Sequence, residues 1–114
     1  MRKLIKIFKA LSDSSRIRIL KMLEVRPLCV CEITEVLKLA TSTVSKHLSI
    51  LRDVDFIIDE KEGKWVNYHL NKLQSDDYIQ RLLPLINQWL PDDEIIQSDW
   101  EKVKTVDRNS MCST

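Results

Sequence analysis

No apolar run in this 114-residue chain approaches the roughly 20 residues that a membrane span requires. No charged n-region followed by a small-residue cleavage site opens it either, so the sequence predicts a cytoplasmic protein with no membrane partner. Cysteine is scarce: there are three, an odd number without a signal peptide, which excludes a disulfide framework and predicts reduced thiols. Glycine occurs once, at Gly63, and there is no internal repeat or low-complexity segment. A net charge of +1 supplies no overall basic excess. What remains is an ordinary globular balance, 44% hydrophobic and 31% charged, in a chain long enough for one domain and short enough to gain stability from dimerisation.

The distribution of charge says more than its sum. Residues 1 to 21 carry Arg2, Lys3, Lys6, Lys9, Arg16, Arg18 and Lys21 against Asp13 alone, whereas residues 74 to 114 hold eight acids and four bases. A basic N-terminal region permits DNA binding, although solvated helix faces explain its lysines better when these are taken alone. Leu4, Phe8 and Leu11, with Ile5 and Ile7 beside them, recur at helical spacing and predict a first helix ending near Ser12. Asp13 suits the N-cap of a second, with Ile17, Ile19, Leu20 and Leu23, which ends before Pro27.

The centre of the chain is the stretch from Cys29 to Phe56. Two short helical patterns flank a small-residue break at Ala40-Thr41-Ser42, the sequence form of a helix-turn-helix. The first holds Ile33, Val36, Leu37 and Leu39; the second starts near Thr41 or Ser42 and buries Val44, Leu48 and Leu51. Its other face presents Ser42, Thr43, Ser45, Lys46, Ser49 and Arg52, hydrogen-bonding groups with no acid among them, suited to phosphates and base edges. Thr41 and His47 complete the set expected at DNA. In a regular helix, side chains two apart point in nearly opposite directions, whereas in extended backbone they share a side. Cys29 and Cys31 therefore converge on one ion if the backbone stays extended to about Cys31, with Leu28 and Val30 turned to the core. The helix would then start at Cys31 or Glu32, and its N-terminus would favour thiolate.

Phe56-Ile57-Ile58 and Trp65 to Leu70 are β-prone runs separated by Asp59 to Lys64, with Gly63 where a hairpin needs positive φ. This predicts a two-stranded wing whose DNA contacts rest on Lys61 and Lys64. A further helix with Ser75 as N-cap carries Ile79, Leu82, Leu83, Ile86, Trp89 and Leu90, with Pro84 marking a kink or a break. Its stripe predicts a homodimer built with the first helix. Beyond Pro91, Ile95, Ile96, Trp100 and Val103 suggest a short helix, and residues 109 to 114 read as a flexible tail. The fold class is thus mainly α with a small β-hairpin, a dimeric winged helix-turn-helix. A DNA-binding and dimerisation domain spans residues 1–91, and a C-terminal extension 92–114. Trp65, Trp89 and Trp100 read as core and interface anchors, and His69 as a strand-end residue.

Four segments support a name: Lys9 to Leu20, Leu28 to Ile33, Ser42 to Arg52 and Glu62 to Tyr68. In this order they resemble the ArsR/SmtB family of metal-responsive winged-helix repressors over about residues 5 to 90. The resemblance implies a homodimer that occupies a palindromic operator when metal-free and releases it when metal binds. The Leu28-Cys29-Val30-Cys31 box is similar to that of arsenic and antimony sensors, shared by cadmium and lead sensors. The common arsenic box has a third cysteine where this chain has Thr34, and residues 75 to 90 lack the histidine that the family's zinc and nickel sensors use.

The expected function is a DNA-binding transcriptional repressor, not an enzyme, released from double-stranded operator DNA by trivalent arsenic or antimony. Three sulfurs suit that pyramidal ion, whereas zinc and cadmium usually take four ligands. Cys29 and Cys31 supply two; Cys112, equally readable as an idle tail thiol, is the candidate third. The alternatives are a cadmium or lead sensor, a repressor sensing thiol oxidation, and, more remotely, a thiol metal-sequestering protein or a small redox enzyme.

Overall fold

The computed structural model describes residues 1–73 and 76–111. Helix α1 (Arg2–Leu11) stops at Ser12, whose hydroxyl donates to the Phe8 carbonyl at 2.7 Å. Its buried face is Ile7 and Ala10, and Phe8, expected in the core stripe, is 56% exposed. A three-residue step is enough to turn α1 inward, which leaves Phe8 and Ile5 on the surface. Helix α2 (Ser14–Leu23) is capped as the sequence predicts: Asp13 accepts from the Ser15 and Arg16 backbone N–H groups at 2.8 and 3.2 Å. From Ile19 to Leu23 every residue is buried, so α2 is enclosed on all sides in its last turns.

That enclosure includes Lys21, which has no exposed surface. Its ammonium donates to the Ile86 carbonyl at 2.8 Å, pairs with Glu24 at 2.9 Å and lies 5.5 Å from the centre of the Trp100 ring. A cation at the C-terminal carbonyls of a helix meets the negative end of its dipole. The desolvation cost of a buried charge is thereby offset by a carboxylate, a helix end and a π face.

Strand β1 (Leu28–Cys29) leads directly into α3 (Val30–Leu37), and α4 (Thr41–Asp53) follows. Lys38 ends α3 in the left-handed region at φ 57°, earlier than the Leu39 expected from periodicity. Strands β2 (Ile57–Glu62) and β3 (Trp65–Leu70) pair from Ile57↔Leu70 to Glu62↔Trp65, so the wing's turn is only Gly63-Lys64, with Gly63 at φ 60°. The sheet has three antiparallel strands in the order β1-β3-β2, not two. Leu28 pairs with Tyr68 and Cys29 with Asn67; two residues are too few to show alternation in sequence.

Helix α5 (Asp77–Gln88) continues through Pro84, and Asp76 is its N-cap, accepting from the Ile79 N–H at 3.1 Å. The expected cap, Ser75, lies outside the described residues. The apolar stripe ends sooner than predicted: Trp89 is extended, and Leu90 sits at φ 65° with 42% exposure. Helix α6 (Glu94–Thr105), capped by Asp93, packs on α2 and sends Ile96 and Val103 inward, with Val106 behind them. Arg18 of α2 grips Asp99 of α6 with two hydrogen bonds of 2.8 Å, and the Trp100 indole donates to the Lys21 carbonyl at 3.0 Å. Residues 109–111, expected in a flexible tail, belong to α7 (Arg108–Met111). Among the described residues, no helix is long and apolar enough to cross a membrane.

Candidate nucleic-acid interface and cysteine site

Helix α4 packs against α3 through Val44, Leu48 and Leu51, and this fixes which face it shows to solvent. Thr41, Ser42, Thr43, Ser45, Lys46, Ser49 and Arg52 are exposed, and His47 is half-buried. The hydroxyl-rich surface read from the sequence is therefore open to a partner along the whole helix. Arg16, which sequence reasoning did not place among the site residues, lines one groove with Ser42, Thr43, Lys46, His47 and Ile50. Only the basic excess of the first 21 residues signalled it, since its nearness to α4 arises from how α2 crosses that helix. Lys6 and Lys9 of α1 flank a second groove with Arg16 and Ser49, so the N-terminal charge gathers beside α4.

Arg52 differs from the other members of the set. It pairs with Asp59 of the wing at 3.1 Å, which ties α4 to β2 and uses up part of its charge locally. On the wing, Lys61 and Lys64 are exposed, but Lys64 lies 4.9 Å from the centre of the Trp65 ring. Arg108 of α7 approaches the same ring at 5.2 Å, donates to Asn67 at 3.0 Å and pairs with Glu62 at 3.1 Å. Trp65, Trp89 and Trp100 are thus not uniform core anchors. Trp65 is a platform for cations, Trp89 is 49% exposed and Trp100 bonds to the backbone of α2.

The cysteines do not share one extended segment. Extended backbone ends at Cys29, the N-cap of α3 (φ −89°, ψ 169°), and Cys31 is already the second residue of the helix. Cys29 is 3% exposed and Cys31 half-buried, so Leu28 and Cys29 are both buried where alternation predicted opposite sides. The physical reason is a capping box: Glu32 accepts from the Cys29 N–H at 3.0 Å while the Cys29 sulfur faces the Glu32 N–H, which starts the helix at Val30, ahead of the expected Cys31 or Glu32. Glu32, 4% exposed, is held in turn by Arg26 at 3.0 Å, and Arg26 also donates to the carbonyls of Val103 and Val106 at the end of α6. One polar network therefore joins the cysteine box to the C-terminal helix.

The expectation of a thiolate at Cys29 is corrected as well. Burial pushes its thiol above the ordinary value, and the Glu32 carboxylate adds to this, outweighing the backbone N–H groups of Glu32 and Cys31 that act the other way. Among the described residues Cys29 is a free thiol, as expected. Thr34, where the common arsenic box has cysteine, donates to the Cys31 carbonyl at 2.8 Å and lies within the helix. Among the described residues, no three His, Cys, Asp or Glu side chains cluster to hold a metal ion. In their reduced form, Cys29 and Cys31 fit a soft ion by donor type but supply two ligands, and a third has to come from elsewhere. Cys112 lies outside the described residues. His69 sits beside Glu60 at 3.4 Å on the wing.

Comparison with known proteins agrees with this architecture. Residues 13–59 match the model of the bacterial regulatory protein, arsR family. The arsenical resistance operon repressor of Escherichia coli (strain K12) is 35% identical over 108 residues, covering 92% of this chain and 82% of that protein. The cadmium resistance transcriptional regulatory protein CadC homolog of Staphylococcus aureus is 37% identical over 79 residues, covering 68% of this chain and 62% of that one. Among solved structures, reduced HlyU from Vibrio cholerae N16961 superposes with a TM-score of 0.65 at 28% identity, over 80% of this chain and 92% of HlyU. With a helix-turn-helix that presents an open polar face and a relative of this identity along nearly its whole length, the chain belongs to the ArsR family of DNA-binding transcriptional regulators and is not an enzyme.

Proposed function

We propose that this regulator is a homodimeric repressor released from its operator by a soft, thiophilic ion, with trivalent arsenic or antimony as inducer. The observation that carries this is the position of Cys29 and Cys31 at the start of α3, the helix on which α4 rests. Thiolates select soft ions over magnesium or calcium, and an arsenical repressor of Escherichia coli is among its relatives. Cys112 is the proposed third sulfur. In sequence it directly follows α7 (Arg108–Met111), which packs against α3, the helix that carries Cys31.

The chain's own residues couple the two sites. Closing the cysteines on an ion pulls Cys29 from its N-cap position and disturbs the box it forms with Glu32. The start of α3 then shifts, and α4 moves with it. In the proposed dimer, α1 and α5 meet their copies through the exposed Phe8, Leu85, Trp89 and Leu90. Two recognition helices then sit about 34 to 36 Å apart, one turn of DNA. Thr41, Ser42, Thr43, Ser45, Lys46, His47, Ser49 and Arg52 are the proposed contacts of each α4, with Lys61 and Lys64 on the wing.

A metal screen on the protein–operator complex tests the inducer: micromolar arsenite or antimonite is expected to free the DNA. Release by cadmium or lead alone would reassign the ion, and a monomeric mass at micromolar concentration would remove the dimer. Lys46→Ala is expected to weaken binding to all sequences and to reduce the slope of log affinity against log salt by about 0.9, the value of one phosphate contact. An unchanged slope with lost discrimination at one operator position would place Lys46 at a base instead.

A second reading rests on the half-buried thiol of Cys31 in the first turn of α3. Oxidation at that thiol removes a ligand and constrains the same helix start, which makes the box a thiol-redox sensor. Release of operator by a mild oxidant, without metal and reversed by dithiothreitol, distinguishes it.

A further inference from the structure

The side chain of Arg16 is only 14% exposed, and its donors point in three directions. The Nε group donates to the Ala10 carbonyl at 2.7 Å, and one terminal nitrogen donates to Lys9 at 3.1 Å. These are carbonyls in the last turn of α1, where the ladder of that helix runs out; the Lys9 carbonyl also accepts from the Ser12 N–H at 3.1 Å. The other terminal nitrogen lies 3.1 Å from Nδ1 of His47, with a carboxylate oxygen of Asp13 at 3.9 Å. A guanidinium keeps all its protons and has no acceptor, so the ring nitrogen it meets presents a lone pair. In the neutral imidazole the proton then resides on Nε2, the ring nitrogen remote from Arg16.

His47 is half-buried in α4 and lines the groove with Ser42, Thr43 and Lys46, where a nucleic acid would lie. We infer that Arg16 is a positioning residue for operator reading: it fixes the ring orientation and the Nε2–H tautomer of His47, which then donates to a hydrogen-bond acceptor on DNA. Phosphate oxygens and the acceptor edges of purines share that chemistry. The same guanidinium anchors the end of α1, so the reading group is held by two helices outside the helix-turn-helix. The inference rests on the proposed role of His47 as a DNA contact, and its test separates the two.

Nitrogen-15 spectra of the free, full-length protein at neutral pH address Arg16 without any DNA. One protonated Nε2 and one unprotonated Nδ1 are expected for His47, and Arg16→Ala is expected to give a mixture of tautomers. A parent ring protonated at Nδ1 overturns the proposal, even if that variant fails to fold. Operator titrations address the reading. His47→Gln, whose amide reaches the Nε2 position, is expected to weaken binding less than His47→Asn, whose amide stands at the Nδ1 position, by roughly tenfold, the loss of one hydrogen bond to a charged or buried partner. Loss that is uniform across operator variants assigns a phosphate, and loss of discrimination at one base pair assigns a base edge. Equal losses in the two variants overturn donation by Nε2.

Discussion

Arg18→Ala is expected to lower the free energy of unfolding by about 3–5 kcal/mol, a large part of the stability of a domain this size. Asp99, its partner on α6, is 1% exposed and receives both guanidinium bonds at 2.8 Å. Removing the arginine leaves a carboxylate in the core without its counter-charge, so the loss reflects that stranded charge more than the worth of the pair. Urea denaturation followed by tryptophan fluorescence measures it, with Trp100 next to Asp99 as a local reporter. Replacing both partners at once, Arg18→Met with Asp99→Leu, is expected to recover most of the loss, because two apolar groups need no compensation. A double variant as unstable as the single one would show that packing around α6, not charge, is responsible.

Cys29→Ser combined with Cys31→Ser is expected to leave operator binding intact and to abolish release by arsenite. Serine is a favourable N-cap and keeps the reciprocal bonds with Glu32, so the start of α3 is preserved while the soft donors are lost. The coupling removed should be about 1–3 kcal/mol, which is 5- to 150-fold in operator affinity between the metal-free and metal-bound states. Linkage makes the effect reciprocal, so operator DNA weakens metalloid binding to the parent by the same factor. Fluorescence anisotropy of a labelled operator, with and without arsenite, reads both quantities. A variant that is still released places the inducer site elsewhere.

The same site has a signed pH dependence. Because burial holds the Cys29 thiol above its ordinary value, the group is protonated at neutral pH and an incoming ion has to displace that proton. Metalloid affinity of the parent should therefore fall as the pH is lowered and rise as it approaches the raised value. For folding the sign is opposite. A thiol whose folded value is raised favours the native state in its neutral form, so its contribution is intact below the ordinary value of 9.0 and is lost as the pH climbs through the folded value.

The sequence by itself determined the order and type of most elements. The helix-turn-helix from α3 to α4 was legible because Ile33, Val36 and Leu37, then Val44, Leu48 and Leu51, repeat at the spacing of a helix that buries one face. Asp13 announced the start of α2 because a short carboxylate there has two free N–H groups to accept from. Gly63 marked the wing turn because no other residue takes positive φ so readily. Local chemistry of this kind acts within four residues, and a sequence displays it directly.

What the tertiary structure decided lies in pairings far apart along the chain. Strand β1 is two residues long and exists because β3, about 40 positions away, offers an edge to it. The capping box that begins α3 at Val30 replaces the extended segment that would turn both thiols to one side. Glu32 could take that role because Arg26, held by the carbonyls at the end of α6, neutralises it in the core. Lys21 reads as one more basic residue of an N-terminal cluster, yet it is wholly buried at the end of α5. Arg16 joined the DNA-facing groove only when α2 and α4 crossed. Each depends on a charge whose solvation is set by distant neighbours, and periodicity carries no record of which neighbours those are.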